Sequence, residues 1–247
     1  MIQFDIITIF PKLFCATGKG YENGSCCYFD YGILRRALKK GLIKIHAHDL
    51  RKYTNDRHKS VDDRPFGGGP GMILKAEPIY KAINEIERKV IKRYRGKAKK
   101  SKMRIIMLAP EGKTFNQKEA KRLSKYDQLV LLCGRYEGFD SRVEKFVDEK
   151  ISVGNFILAG GELAAMTIME AVSRHIKGVV GHEHALDEET FCKDLDYVEY
   201  PQYTRPEVFK WQTANGKRQT VKVPEVLLSG NHQKIHEWRQ KHQRKKK

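Results

Sequence analysis

A chain of 247 residues, 40% apolar and 32% charged, is long enough for a well-buried core and too apolar for a disordered protein. It carries 48 basic against 30 acidic residues, a net +18, and no apolar run approaches the roughly eighteen residues of a membrane-spanning helix. Five cysteines (Cys15, Cys26, Cys27, Cys133, Cys192) form no CxxC pair, which argues against a disulfide framework and against a cysteine zinc site.

Ile2 to Phe10 is β-branched and apolar and reads as a buried strand that Pro11 ends. The start, MIQFDIITIF, lacks a basic n-region and a small-residue cleavage site, so the expectation is a cytoplasmic protein without a signal peptide. Tyr31 to Lys40 places Ile33, Leu34, Ala37 and Leu38 at helical spacing before Gly41. Lys44 to Asp49 alternates like a strand, and Leu50 to Gly71 is a long polar loop ending in GGGPG. Ala76 to about Tyr94 sets Ile79, Ala82, Ile83 and Ile86 on one helical face. Strands follow at Ile105–Leu108, Gln128–Leu132 and Ile151–Val153, with helices at Gln117–Leu123, Ser141–Phe146 and Leu163–Arg174 between and after them. That alternation predicts an α/β fold with a mainly parallel sheet.

The composition changes after Gly181. His182 to Glu189 (HEHALDEE) is polar and acidic without a clear period. The expected organisation is an α/β domain over 1–181, a linker over 182–193, and a small, mostly helical domain over 194–247 that ends in a basic tail. A helix is expected near His232–His242.

The charge surplus is concentrated. Arg88 to Arg104 holds ten basic residues and no acid, and Arg239 to Lys247 holds six more. Such runs attract phosphate and release counterions from nucleic acid, or else are solvated surface. The expectation is that they act on nucleic-acid affinity and not on chemistry.

Neither GxGxxG nor GxxxxGK[ST] occurs, which disfavours an ordinary dinucleotide fold and a P-loop ATPase. Three other glycine-bearing segments stand out: Asp62–Gly71 (DDRPFGGGPG), Leu131–Gly138 (LLCGRYEG) and Ser152–Leu163 (SVGNFILAGGEL). The last two follow strands, where ligands bind in open α/β sheets. Their backbone groups suit an adenine edge, and Phe156, Ile157 and Leu158 suit an apolar wall. His232 and His236, at i and i+4, lack a third metal ligand and the HExxH pattern. Cys133 reads as a buried thiol. Asp62 and Asp63 are candidates for Mg²⁺, with bonding to local backbone N–H groups the preferred reading.

These segments carry a resemblance. IITIFPKLF, DDRPFGGGPGM, LAPEGK, LLCGRYEGFDSRV, SVGNFILAGGELAAM, YPQYTRPEVF and VLLSGNH occur in order from Ile2 to about Arg239. They resemble the bacterial tRNA (guanine-N1)-methyltransferases of the SPOUT class, the TrmD family. The resemblance implies a trefoil-knotted α/β domain with a parallel sheet, a rare exception to ordinary chain topology. It also implies a homodimer, S-adenosyl-L-methionine as methyl donor, and tRNA as substrate, methylated at N1 of the guanosine 3′ of the anticodon (position 37). By the same resemblance the donor site comprises Gly134, Val153, Gly154, Asn155, Phe156, Ile157 and Leu158, with Pro110, Tyr136, Glu137 and Gly160 as neighbours.

Guanine N1 carries a proton at neutral pH, so a base must remove it and a cation near O6 can stabilise the resulting charge. The family's arginine maps onto Arg174 and its linker aspartate onto Glu189, a glutamate where an aspartate is usual. Asp187, Glu188, Asp194 and Asp196 are competing carboxylates. Ala164 stands where the family usually has proline, which bears on the rigidity of the helix start. Two other readings remain at this stage: a non-catalytic RNA-binding protein on the same fold, and a ribose 2′-OH methyltransferase.

Overall fold

The computed structural model describes residues 1–14, 28–95, 102–182 and 185–245. The chain divides into two compact units, Met1–Glu183 and His184–Lys247.

The first unit is built on β1 (Ile2–Thr8), whose seven residues are all buried. It continues through α1 (Gly32–Lys39), β2 (Ile43–Asp49), α2 (Ala76–Tyr94), β3 (Met103–Thr114), α3 (Gln117–Leu123), β4 (Gln128–Cys133), β5 (Glu149–Ser152) and α4 (Glu162–Arg174). The five strands form one sheet in the order β2-β1-β4-β3-β5, and every neighbouring pair is parallel. A parallel sheet must be covered on both faces, which is why its strands read as nearly continuous apolar runs. On one face Phe4, Ile6, Leu129, Leu131 and Ile106 pack with Leu34 and Ala37 of α1, Ala120 and Leu123 of α3, and Ile168, Met169 and Val172 of α4. On the other, Ile7, Val130, Leu132, Ile105 and Met107 pack with Ile79, Ala82, Ile83 and Ile86 of α2.

Several elements differ from expectation. The strand expected over Ile105–Leu108 is longer, because β3 resumes its pairing with β5 at Lys113–Thr114 after a register shift between Leu108 and Lys113. Gly112 makes the close return possible: a Cβ there would lie 2.6 Å from the backbone nitrogen of Ile151. The helix expected at Ser141–Phe146 is 3-10, started by Asp140, whose Oδ1 accepts from the N–H of Arg142 at 2.9 Å. The loop over Leu50–Gly71 contains a 3-10 turn at Leu50–Tyr53, and Asp62–Asp63 pairs antiparallel with Ile73–Leu74.

The second unit is not mostly helical. Alongside α5 (Glu225–Leu228) and α6 (His232–His242) it holds an antiparallel hairpin of β6 (Val208–Gln212) and β7 (Arg218–Lys222). The turn residues Asn215-Gly216, with Gly216 at φ +78°, are the hairpin signal. All five residues of β6 are exposed, so the strand has no buried face. Residues 185–193 of the expected linker over 182–193 make hydrogen bonds inside this unit. Phe191 N–H donates to Tyr197 O at 2.9 Å, and Glu199 N–H to Thr190 Oγ1 at 3.3 Å.

Candidate functional site

The carboxyl ends of β4 and β5 and the Met107–Glu111 stretch of β3 meet at one cleft of about 370 Å³, within the size range of small-molecule sites. Pro110 reaches it from the excursion after Leu108. Gly134, Tyr136 and Glu137 reach it from the loop after β4; Val153, Gly154, Phe156, Ile157, Leu158 and Gly160 come from the loop after β5. Ten of the eleven expected donor-site residues therefore meet; Asn155 is exposed on the same loop and is not among the lining residues. Phe156 and Ile157 are 55% and 80% exposed, so an apolar wall stands open to a ligand. The rim also carries Glu111, Glu137, Asp140 and Glu144; Asp140 pairs with Arg142 at 2.6 Å, and Glu111 and Glu144 pair with Lys150 at 3.2 and 3.1 Å, so three of these charges are paired within the chain.

The glycines shape this cleft by close approach. Gly161 N–H donates to Gly134 O at 2.9 Å, and a Cβ on Gly161 would lie 2.8 Å from the Cα of Cys133. Gly134 leaves room for the Phe139 ring, which a Cβ would meet at 2.9 Å. Gly154 has φ +152°, and Ser152 Oγ braces its loop by donating to Gly154 O at 3.0 Å. Tyr136, at φ +60°, sits in the left-handed region, an unusual place for a residue with a side chain. The segment just after GGGPG joins the same construction: Glu137 N–H donates to Met72 O at 3.0 Å, and Leu74 N–H to Gly138 O at 3.0 Å.

A buried ion pair clamps the two strand-end loops, and the sequence reading missed it. Glu162, 1% exposed, accepts from Thr8 Oγ1 at 2.7 Å on one oxygen and from Arg135 Nε at 2.9 Å on the other. Arg135 also donates to Ala159 O at 3.1 Å and lies over the ring of Phe10. Gly160 admits the guanidinium, since a Cβ there would sit 2.1 Å from Arg135 Nε. The carboxylate lies in the first turn of α4, where the helix dipole favours negative charge. A glutamate directly after GG and before an apolar helix was the available signal.

Arg174, half-buried, closes α4 at the end opposite the cleft. Twelve residues of helix separate it from Glu162, about 18 Å at 1.5 Å per residue. Glu189, also half-buried, lines a depression of the second unit together with Asp187, Glu188, Glu199 and Tyr200. Among its competitors, Glu188 accepts from Tyr200 Oη at 2.8 Å, and Asp194 accepts from the N–H of Asp196 at 2.9 Å. Burial and the neighbouring Glu188 hold the Tyr200 hydroxyl above its ordinary pKa.

Other candidates resolve differently. Cys133 is buried, and burial pushes its thiol well above the ordinary range. Cys15, Cys26 and Cys27 lie outside the described residues. Asp63 Oδ1 accepts from the N–H of Arg64 at 2.9 Å, and its second oxygen faces Lys75 Nζ at 3.6 Å. Among the described residues no group of three or more His, Cys, Asp or Glu could hold a metal ion. His236 Nε2 lies 2.8 Å from Gln240 Nε2 on the exposed face of α6. Within the basic run, Arg93 donates to Gln3 Oε1 at 2.9 Å, and Arg104 pairs with Glu149 at 2.8 Å. These two are tied inside the unit, and 96–101 lie outside the described residues.

A parallel α/β sheet with a glycine-shaped cleft at its strand ends defines a small-molecule-binding α/β protein that lacks the usual nucleotide fingerprints. The family model described as tRNA (Guanine-1)-methyltransferase TrmD matches residues 2–247, and the chain belongs to that family. A tRNA (guanine-N(1)-)-methyltransferase of Dictyoglomus turgidum is 44% identical over 246 residues, covering 100% of this chain and 86% of the relative. A protein of the same name from Carboxydothermus hydrogenoformans is 44% identical over 241 residues, 97% of this chain and 82% of its own length. Another, from Caldanaerobacter subterraneus, is 42% identical over 236 residues, 96% and 84% respectively. No helix among the described residues is long and apolar enough to cross a membrane.

Proposed function

We propose that the chain transfers a methyl group from S-adenosyl-L-methionine to N1 of the guanosine 3′ of the anticodon, position 37, in tRNA. The observation that carries this reading is the convergence of Pro110, Gly134–Glu137 and Val153–Gly160 on one cleft in a chain of the TrmD family. The cleft fits the donor. Phe156, Ile157 and Leu158 give an apolar wall, and the glycine loops bring backbone polar groups to the cleft. When bound, S-adenosylmethionine supplies an electrophilic methyl group.

The chain's own residues prepare the nucleophile. Glu189 takes the proton from guanine N1, freeing the ring lone pair, and Arg174 stabilises the negative charge that spreads to O6. We read the loops after β4 and β5 as parts of a trefoil knot, a reading supported by the contact of Gly161 with Cys133 and Gly134. We read the active protein as a cytoplasmic homodimer. Arg174 lies about a helix length from the cleft of its own chain, so a second copy is the natural source of the missing groups.

Methylation of purified tRNA, with nucleoside analysis of the product, tests the activity. Glu189→Gln keeps size and hydrogen bonding but cannot accept the proton. It should lower the single-turnover rate by about 10²-fold or more while donor binding persists. Glu189→Asp should retain most activity, Arg174→Ala should be slow, and raising the pH should partly rescue Glu189→Gln. Normal turnover by Glu189→Gln alongside a slow Asp187→Asn or Glu188→Gln would move the base along the segment.

A further inference from the structure

β6 and β7 pair only with each other among the described residues. Their register sorts side chains onto two unlike faces. Phe209 stands opposite Val221 and Trp211 opposite Gln219, so the aromatic residues share one face. Lys210, Arg218 and Lys222 share the other, with Val208, Gln212 and Thr220. The rings of Phe209 and Trp211 lie 5.4 Å apart with 17° between their planes, and they are 52% and 38% exposed. From Val208 to Lys222 there are four basic residues and no acid.

An isolated two-stranded hairpin is at best marginally stable in water, and exposed aromatic rings add nothing to its own core. Planar exposed rings backed by cations are the chemistry that holds an unstacked nucleobase and its phosphates. A protein partner would find an apolar face rimmed by unneutralised positive charge, whereas RNA complements both faces of the hairpin.

We propose that the β6–β7 hairpin is an RNA-binding arm: Trp211, supported by Phe209, stacks on an unpaired base of the tRNA, while Lys210, Arg218 and Lys222 neutralise adjoining phosphates. This rests on the tRNA substrate proposed above and adds a contact surface remote in sequence from Arg174 and Glu189. It assigns the hairpin to substrate affinity and not to methyl transfer.

The test uses the full chain. The protein has two tryptophans, Trp211 and Trp238, so a Trp238→Phe background leaves Trp211 as the sole indole reporter. Adding tRNA should quench Trp211 emission, and polyphosphate, which has charge but no bases, should not. Trp211→Ala should raise the tRNA KM about tenfold with kcat unchanged, and Trp211→Phe should restore most of the loss. Circular dichroism of Trp211→Phe and Trp211→Ala checks that the unit stays folded.

Three results would overturn the arm: quenching absent while tRNA binds, equal quenching by polyphosphate, or an unchanged KM in Trp211→Ala. A change of oligomeric state in Trp211→Ala would instead assign the aromatic face to a second copy of the chain and reject the proposal. If the wild-type protein neither binds nor methylates tRNA, the parent function fails, an outcome read independently of any hairpin variant.

Discussion

Glu162 is the residue on which the cleft's geometry turns. Its carboxylate is out of solvent, and among the described residues one oxygen accepts from Thr8 and the other from Arg135, so the residue joins β1, the loop after β4 and the start of α4. Removing the charge leaves the guanidinium of Arg135 without its counter-ion in a largely enclosed place. Breaking a buried pair from one side costs more than the pair contributes. Glu162→Gln should therefore lose about 3 kcal/mol, read as a lower urea midpoint at constant m-value. An unchanged midpoint would show the clamp to be ornamental. The glycines around this clamp were legible in the sequence, because strand-then-glycine marks a strand end facing a ligand. The clamp itself was not, because Arg135 and Glu162 are 27 residues apart and nothing local pairs them.

At the level of elements, α3 is held to β3 and β5 by a chain of ion pairs. Glu119, 7% exposed, meets Lys113 at 2.6 Å and Arg122 at 2.7 Å, and Arg122 continues to Glu149 at 2.7 Å. Asn116 caps the helix by accepting from the Glu119 N–H at 3.2 Å. Burial alone would raise the Glu119 pKa, but the hydrogen bonds from Lys113 and Arg122 outweigh it and hold it below the ordinary value of 4.5. A depressed carboxylate contributes stability above its unfolded pKa and loses it as pH falls through the folded value. Glu119→Gln should then cost about 2 kcal/mol at pH 7 and much less near pH 3, so the two melting curves converge on acidification. A constant difference across that range would assign the loss to packing. Elements with a buried face were legible, α2 from its helical period and β4 from its continuous apolar run. The β6 strand was not, because its alternation of Phe209 and Trp211 with Lys210 and Gln212 spans only five residues and buries neither face. Nor was the length of β3, because its excursion at Ala109–Gly112 interrupts the apolar run before pairing resumes.

Across the whole molecule the division of labour is unequal. The first unit holds the cleft and, at the far end of α4, Arg174, whereas Glu189 belongs to the second unit. Composition could not show how far Arg174 stands from the cleft; the length of α4 does. That distance leads to a complementation experiment. Gly154→Val places a branched side chain at φ +152° and against the Phe156 ring, spoiling the cleft while leaving Glu189 intact. Glu189→Gln does the reverse. Each homodimer should be nearly inactive. If a cleft from one subunit works with Glu189 of its partner, a mixed dimer has one site with both parts sound and one with both spoiled. Unfolding and refolding an equal mixture makes about half the dimers mixed, so about a quarter of wild-type activity should return. If each subunit built its site alone, every site in the mixed dimer would carry one defect and no activity would return. Sedimentation of the refolded sample at micromolar concentration supplies the companion measurement, because a monomeric species with full wild-type activity would contradict the shared site directly.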